Sequence, residues 1–214
     1  YLGADSTHLT VKGLSAADTG DYQLVVSNAF GMTTSRVARV ALHFVNAVNP
    51  GATAPYTNWA TAAGNIQDAI DAAAADAVIL VTNGIYNSGG KLTDVFDVTN
   101  RIALDKPVTV VSVNGPFQTV VEGQWDPIST NGVNAVRCAQ LSSNSSLAGF
   151  TLRNGATRSY SLGGGVSAYY DEMVASCVIS NNRAGSGGGA AIGSYYNCWF
   201  INNSASSFGG GAYQ

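Results

Sequence analysis

The sequence predicts an all-β protein built from short strands. Charged residues make up only 11% of the chain, against about 25% in an ordinary soluble domain, and 25 residues are glycine. Asn, Ser, Thr and Gly favour turns and strands over long exposed helices. Runs of β-branched residues end at Asn-Gly or Glu-Gly turns, as at residues 108–115 and 119–123. A pattern that recurs along the chain then indicates that similar strands follow one another in a regular order.

Charge and hydropathy exclude two classes of function. The net charge is −3 and no cluster of Lys and Arg occurs, so the basic surface of a nucleic-acid-binding protein is not expected. The longest nearly apolar stretch, residues 72–81, is well short of the roughly 20 residues needed to cross a bilayer. We therefore expect neither a nucleic-acid partner nor a membrane span.

The three cysteines do not form a recognisable framework. Cys138, Cys177 and Cys198 are too few and too widely spaced for a disulfide scaffold or for a zinc site with paired ligands. We interpret them as small buried apolar residues. The sequence predicts no metal site and no cofactor.

Residues 1–45 alternate between short strands and turns. The segment Asp18-Thr19-Gly20-Asp21-Tyr22-Gln23-Leu24 resembles the D-x-G-x-Y-x-C signature of immunoglobulin-like domains, with Leu24 in place of the cysteine. The resemblance extends through residues 28–31 as a hairpin and residues 33–42 as the last strand. It implies the C-terminal part of an immunoglobulin-like sandwich, which acts as a spacer or as an adhesive module.

A linker and a helix follow. Residues 46–58 contain Pro50, Gly51 and Pro55 and are predicted to be a linker. Beyond it, an apolar face with i, i+3, i+4, i+7 spacing predicts a helix, which Asn65 caps. That face consists of Ile66, Ala69, Ile70 and Ala73.

Residues 59–214 contain an internal repeat. The run from Cys177 to Ala184 recurs from Cys198 to Ala205, a spacing of 21 residues, and glycine triplets begin at Gly163, Gly187 and Gly209, with steps of 24 and 22. Repeats of this length suit a solenoid, in which equivalent residues stack about 4.8 Å apart. The predicted ladders place Cys177 on Cys198, Asn181 on Asn202 and Asn182 on Asn203.

These residues resemble the right-handed parallel β-helix family, which includes pectate-lyase-like enzymes and many bacterial surface proteins. The resemblance covers about residues 56–214. It implies a β-helix whose open N-terminal end is covered by the amphipathic helix, as an exposed strand edge requires. The fold predicted for the chain is thus a partial immunoglobulin-like sandwich, then a linker, then a right-handed parallel β-helix with an N-terminal capping α-helix.

Candidate site residues are few. From residue 130 onward the only acidic residues are Asp171 and Glu172, which we interpret as part of a solvated loop. Trp125, between Glu122 and Asp126, either packs its loop against the solenoid or stacks on a sugar ring. The pairs Tyr169-Tyr170 and Tyr195-Tyr196 place one ring of each pair outward, where it contacts a glycan or shields a neighbouring coil.

Two functions from different classes remain. The favoured one is a non-catalytic secreted or cell-surface protein that presents a β-helix face for adhesion or for binding polysaccharide and other glycans. A purely structural stalk differs from it only in lacking a ligand. The alternative is a carbohydrate-active enzyme, a polysaccharide lyase or glycoside hydrolase, whose catalytic coils lie beyond residue 214. A calcium ion is compatible only with this alternative, since lyases of this fold use clustered carboxylates to hold one.

Overall fold

The computed structural model describes residues 6, 9–11, 13–93, 98–169 and 172–214. Strands predominate in this part of the chain, and most of them pair in parallel, which confirms the all-β prediction. Four short strands come first: β1 (Gly20–Tyr22), β2 (Val25–Asn28), β3 (Gly31–Thr34) and β4 (Ala38–Val40). β1 pairs antiparallel with β4, and β2 and β3 form an antiparallel hairpin. The Tyr22 hydroxyl donates a hydrogen bond of 2.9 Å to the Asp18 carbonyl.

The remaining strands belong largely to three sheets. In chain order they are β5 (Leu42–Val45), β6 (Val78–Val81), β7 (Gly84–Tyr86), β8 (Lys91–Thr93), β9 (Val98–Leu104), β10 (Thr109–Ser112), β11 (Thr119–Glu122), β12 (Val136–Leu141), β13 (Ser146–Ala148), β14 (Thr151–Arg153), β15 (Val166–Ser167), β16 (Met173–Ala175), β17 (Val178–Ser180), β18 (Arg183–Ser186), β19 (Ala190–Ala191), β20 (Ser194–Tyr196), β21 (Trp199–Ile201), β22 (Ser204–Phe208) and β23 (Ala212–Tyr213).

The sheets take strands in rotation. Sheet 1 has the order β20-β16-β13-β10-β6-β5, sheet 2 the order β21-β17-β14-β11-β7 and sheet 3 the order β23-β19-β15-β12-β9-β8. From β6 onward the chain visits sheets 1, 2 and 3 in turn, and it does so five times. We call each passage a coil, so coil 4 begins at β16 and coil 5 at β20. In coils 4 and 5 an additional pair, β18 with β22, lies between sheets 2 and 3. This winding is compatible with a β-helix.

The interior of the coils is apolar. Each strand directs alternate side chains inward, and in sheet 2 the inward column contains the buried side chains of Tyr86, Val121, Leu152 and Ile179. Matching columns from sheets 1 and 3 complete one continuous core. Because each coil buries its apolar side chains against the next coil, the register between coils determines which residues are inside.

The helix α1 (Ile66–Ala72) packs at the N-terminal end of this core and contacts β5, β6 and β9. The Asn65 side chain accepts a hydrogen bond of 2.9 Å from the Asp68 amide, as the sequence predicts for the cap. Ile66, Ala69 and Ile70 are buried. The predicted amphipathic helix is therefore confirmed.

The segment before the helix is integrated with sheet 1. β5 pairs in parallel with β6, and a second apolar cluster on the outer face of sheet 1 joins Leu42, Phe44, Ala62 and Leu80 to the N-terminal strands. Residues 33–42, expected to be one strand, are instead divided among β3, β4 and the start of β5, because each part pairs with a different strand. The predicted domain boundary at residue 45 coincides with the end of a strand that belongs to the parallel sheet.

Residues 46–58, the predicted linker, fold back along β5. The Phe44 amide donates to the Tyr56 carbonyl, and His43 Nδ1 lies 2.7 Å from the Pro55 carbonyl oxygen. The division into residues 1–45, 46–58 and 59–214 stays a prediction.

Candidate functional site

The outer face of sheet 2 presents two columns of side chains. The strands are in register, and alternation places every second residue outside. The first outer column contains Ile85, Val120, Thr151, Val178 and Trp199, and the second contains Glu122, Arg153, Ser180 and Ile201. We call these two columns, with the adjoining side chains of Phe117 and Asn154, the sheet 2 face.

An aromatic pair lies at one end of the first column. Trp199 is 58% exposed, and Phe117, which is 75% exposed, contacts it with ring centroids 6.2 Å apart at an interplanar angle of 70°. Phe117 belongs to the loop between β10 and β11, which is anchored because Thr151 Oγ1 donates a 2.7 Å hydrogen bond to the Pro116 carbonyl. Two rings are thus held at the surface with much of their area open to solvent.

Polar groups lie in and next to the second column of the same face. Arg153 Nε is 3.0 Å from Glu122 Oε1, and the Asn154 amide donates to the same oxygen at 3.0 Å. These contacts fix the Glu122 carboxylate while leaving the guanidinium partly exposed. The sheet 2 face therefore combines apolar rings with oriented hydrogen-bonding groups.

Trp125 is partly exposed and is covered on one side by an arginine. The Arg183 guanidinium carbon lies 4.5 Å from the centroid of the Trp125 ring, a cation-π contact. Trp125 itself is 37% exposed. A ligand could therefore reach the ring only where Arg183 does not cover it.

Asp126, next to Trp125, has a structural environment. Its carboxylate accepts hydrogen bonds from the amides of Ile128, Ser129 and Asn134 and from the Ser129 hydroxyl. The backbone hydrogen bonds, led by that of Ser129, hold the pKa of Asp126 far below its ordinary value of 3.8. The carboxylate is thus ionised and saturated with donors, so it closes the 126–134 loop.

The two tyrosine pairs are not equivalent. Tyr195 is in register with the inward residue Val174, and its hydroxyl donates to the Ala191 carbonyl at 3.2 Å. Burial raises the pKa of Tyr195. Tyr196 faces outward and is 59% exposed, while Tyr169 is exposed in the segment after β15. The described tyrosines therefore do not form a stacked row, and Tyr170 lies outside the described residues.

The sequence led us to expect Glu172 in a solvated loop, but the structure buries it. It is only 3% exposed, and its Oε1 accepts a hydrogen bond from the Asn144 amide at 3.3 Å. Its Oε2 and the neighbouring Ser145 Oγ are buried and form no hydrogen bond. Glu172 directly precedes β16, and the register of β16 with β13 places it opposite Ser145. Because Val174, two residues later, faces the core, alternation directs the Glu172 side chain inward as well. Asp171 lies outside the described residues.

The repeat residues form three ladders at the corners of the coils. Asn154, Asn181 and Asn202 all have positive φ angles of 52–56°, which Asn tolerates, so they turn the chain after sheet 2. Asn182 is buried and donates to Asn203 Oδ1 at 3.1 Å, while Asn203 donates to the Ile179 carbonyl. Cys177 and Cys198 precede the paired residues Val178 and Trp199, so they are neighbours on consecutive coils.

No group of three or more His, Cys, Asp and Glu residues that could hold a metal ion occurs among the residues that the structure describes. Within the same ranges, no helix has the length and hydropathy needed to cross a membrane.

Trp199, Phe117 and Arg183 were missed as site residues from the sequence. The 21-residue repeat contained the signal for Trp199, because alternation from an inward Cys198 places the next side chain outward. Phe117 and Arg183 are brought to the surface sites by tertiary packing.

Fold and site together define an all-β protein with parallel sheets and an exposed aromatic face. Comparison with family models, with curated proteins and with solved structures finds no match.

Proposed function

We propose that the chain is a non-catalytic, secreted or cell-surface protein whose sheet 2 face binds polysaccharide. The proposal includes the finer fold: an immunoglobulin-like segment followed by a right-handed parallel β-helix of the pectate-lyase-like type. Rotation of the chain through three parallel sheets and the helix at one end of the core support the β-helix. The Tyr22 hydrogen bond to Asp18 supports the immunoglobulin-like segment.

The observation that carries the glycan proposal is the exposed Phe117–Trp199 pair on the same face of sheet 2 as the Glu122–Arg153 ion pair. A sugar ring has an apolar face of C–H groups and an equatorial rim of hydroxyls. Aromatic rings contact the first, and charged or amide groups hydrogen-bond the second. Contiguous exposed apolar groups on one face of a protein also commonly mark a binding site.

The carboxylates near this face are already engaged, which favours binding over hydrolysis. Glu122 pairs with Arg153, and Asp126 accepts hydrogen bonds from its own loop. A glycosidase requires two carboxyl groups placed about 5–10 Å apart across the scissile bond. The enzymatic alternative would therefore need further acids, and the assay below tests it directly.

The binding test uses polygalacturonate and an array of mixed glycans with the purified chain. We expect retention on at least one polysaccharide, and Trp199→Ala should weaken binding about tenfold, or about 1.4 kcal/mol, because the ring loses its contact with the sugar. Trp125→Ala should weaken binding less, because Arg183 already covers part of the ring.

Tyr160→Ala is the matched control. Tyr160 is 95% exposed and lies in the loop between β14 and β15, outside the two columns that form the sheet 2 face. Its replacement should leave affinity unchanged within about twofold. Equal affinities for the Trp199, Trp125 and Tyr160 variants would contradict the assignment of this face. Release of new reducing ends or unsaturated products from the same polysaccharides would contradict the non-catalytic function.

A further inference from the structure

Cys177 and Cys198 occupy equivalent positions on coils 4 and 5. Val178 and Trp199 are paired residues of neighbouring parallel strands, and each cysteine directly precedes one of them. The Trp199 amide donates a 2.9 Å hydrogen bond to the Cys177 carbonyl, which ties the two positions together. The two cysteines are therefore adjacent across the coils although 21 residues separate them in the chain.

Both thiols point in the same direction. Cys177 Sγ lies 3.2 Å from the Ala175 carbonyl oxygen, and Cys198 Sγ lies 3.4 Å from the Tyr196 carbonyl oxygen, in each case two residues earlier. Repetition of this contact shows that the side chains have corresponding orientations.

The spacing suits a covalent bond. Neighbouring parallel strands lie about 4.8 Å apart, and disulfides join Cα atoms that are about 4.4–6.8 Å apart. Stacked positions on consecutive coils therefore fall within the Cα range of a disulfide, and Cys198 is partly exposed rather than enclosed in the core.

The two thiols differ in reactivity. Hydrogen bonding of the neighbouring Cys177 thiol to the Cys198 thiolate lowers the pKa of Cys198 to about 7, and the same interaction together with burial raises the pKa of Cys177. Cys198 is the partly exposed thiol, and Cys177 is buried beside it. This combination provides an accessible thiolate with a second thiol next to it.

We propose that Cys177 and Cys198 form an intrachain disulfide that joins coil 4 to coil 5, by exchange with a small-molecule disulfide such as oxidised glutathione. The Cys198 thiolate attacks one sulfur of that disulfide, and the S–S bond breaks to release one glutathione thiolate. The Cys177 thiol then loses its proton to solvent and attacks the Cys198 sulfur, releasing the second glutathione. Two protein thiols are oxidised by two electrons, and the small disulfide is reduced to two thiols.

Cys138 provides an internal comparison. It is fully buried in β12 of sheet 3, with its Sγ 3.2 Å from the Arg153 carbonyl oxygen and 3.6 Å from Asn182 Oδ1. Burial raises the pKa of Cys138 to about 12. It is therefore expected to stay reduced under conditions that oxidise the other two cysteines. The inference is independent of glycan binding.

Peptide mapping tests the proposal directly. The folded, reduced protein is incubated with oxidised glutathione, the remaining thiols are blocked, and the protein is digested with trypsin without reduction. Cleavage after Arg137, Arg153, Arg158 and Arg183 puts the three cysteines in separate peptides, residues 138–153, 159–183 and 184–214. We expect a single linked species, 159–183 joined to 184–214, with the mass of two hydrogen atoms lost, and 138–153 carrying the blocking group.

Variants and the unfolded chain are the controls. Cys138→Ser should form the same linked species, and Cys198→Ser should form none. The unmodified chain oxidised in concentrated urea should give a mixture of all three pairings, because the fold no longer selects one. The linked folded protein should also resist proteolysis within residues 194–213, at least about tenfold longer than the reduced protein, because the bond closes a ring across two coils.

Four results would overturn the proposal. They are glutathione retained on Cys198 without a crosslink, a crosslink between two protein molecules, a crosslink to Cys138, and three unreacted thiols. The map of the unmodified folded protein, together with its non-reduced intact mass before digestion, distinguishes these results even if a cysteine variant does not fold.

Discussion

Asp126 shows how one residue organises the surface around Trp125. Its two carboxylate oxygens receive hydrogen bonds from Ile128, Ser129 and Asn134, which span the whole loop that follows the tryptophan. A carboxylate that accepts several backbone N–H groups is stabilised in its charged form. The loop therefore depends on the charge of a residue that, in the sequence, stands out only because it flanks Trp125.

Replacing Asp126 with Asn should destabilise the protein in a pH-dependent manner. The amide keeps one acceptor oxygen but turns an NH2 group toward backbone donors. We expect a lower thermal midpoint for Asp126→Asn at pH 7, measured by circular dichroism. Because folding lowers the pKa of Asp126 below 3.8, the wild-type advantage is fully present above about pH 4 and decreases as the pH falls toward the folded pKa.

Asp76→Asn is the control for this prediction. Asp76 is exposed, in the turn between α1 and β6, and Asn tolerates its positive φ of 64°. The pH dependence of its midpoint should match that of the wild type. If Asp126→Asn and the wild type lost stability in parallel from pH 7 to pH 3, the loop would not depend on the ionised carboxylate.

Individual site residues were only partly predictable. Alternation along a strand determines that one of Tyr195 and Tyr196 faces inward, but the register with Val174 was needed to assign Tyr195 to the inside. Glu172 was expected on a loop surface, because two adjacent acids usually remain solvated. Its burial follows from its register with Ser145, which no local pattern specifies.

At the scale of elements, the side chain of Gln67 attaches α1 to the backbone of sheet 3. Gln67 is buried; its Oε1 accepts a 2.8 Å hydrogen bond from the Ala103 amide, and its Nε2 donates to the Ala103 carbonyl at 3.3 Å. The side-chain amide thereby pairs with the backbone of β9 as another strand would. Nε2 also donates to Asp71 on the same helix, which fixes its orientation.

Gln67→Leu should cost about 2–4 kcal/mol in the free energy of unfolding, measured by urea denaturation. The substitution leaves a buried amide and a buried carbonyl of Ala103 without partners, and each such group costs about 1–3 kcal/mol. The free energy of unfolding of Gln67→Glu should lie between those of the wild type and Gln67→Leu, because the Glu carboxylate accepts from the Ala103 amide but cannot donate to the Ala103 carbonyl.

Gln118→Leu is the matched control, since Gln118 is exposed in the loop before β11. We expect Gln118→Leu to change the free energy of unfolding by no more than about 0.5 kcal/mol. If Gln67→Leu were as mild as Gln118→Leu, the Gln67 hydrogen bonds would contribute nothing net to the stability of the protein.

Elements with a strong local pattern were predicted and those with changing partners were not. The spacing of Ile66, Ala69 and Ile70 defines α1 without reference to the rest of the chain. Residues 33–42 read as one strand because their β propensity is continuous. Their partners change from β2 to β1 to β6, and Ser35 interrupts the run by accepting a hydrogen bond from the Leu24 amide through its Oγ.

At the scale of the whole molecule, the repeat in the sequence and the register of the coils have the same period. Val178 pairs with Trp199, 21 residues later, and Val166 pairs with Ala190, 24 residues later. Gly163, Gly187 and Gly209 all have φ angles of 60–64°, and a Cβ at the neighbouring Gly164 would collide with the Arg183 carbonyl oxygen. The glycine triplets therefore recur because each coil makes the same close turn.

A stack of coils in which each contacts only its neighbours should be least stable where one neighbour is absent. β10 and β13 lie between two paired strands, whereas β20 is paired on one edge only within the described part of sheet 1. The opposite end of that sheet is different, because β5 also exchanges hydrogen bonds with Tyr56 and Ala63. Protection of the backbone amides against hydrogen exchange should therefore decline from the middle of the stack toward coil 5. It should decline less toward β5.

Hydrogen exchange of the reduced protein, followed by mass spectrometry, measures this gradient. Amides of β10 and β13 should exchange at least about a hundredfold more slowly than those of β20 and β21, because local opening of coil 5 does not require unfolding of the coils before it. The β2–β3 hairpin, whose residues are all exposed, should exchange fastest among the described strands. Uniform protection from β6 to β21 would mean that the stack unfolds as one cooperative unit, and the nearest-neighbour description of its stability would be wrong.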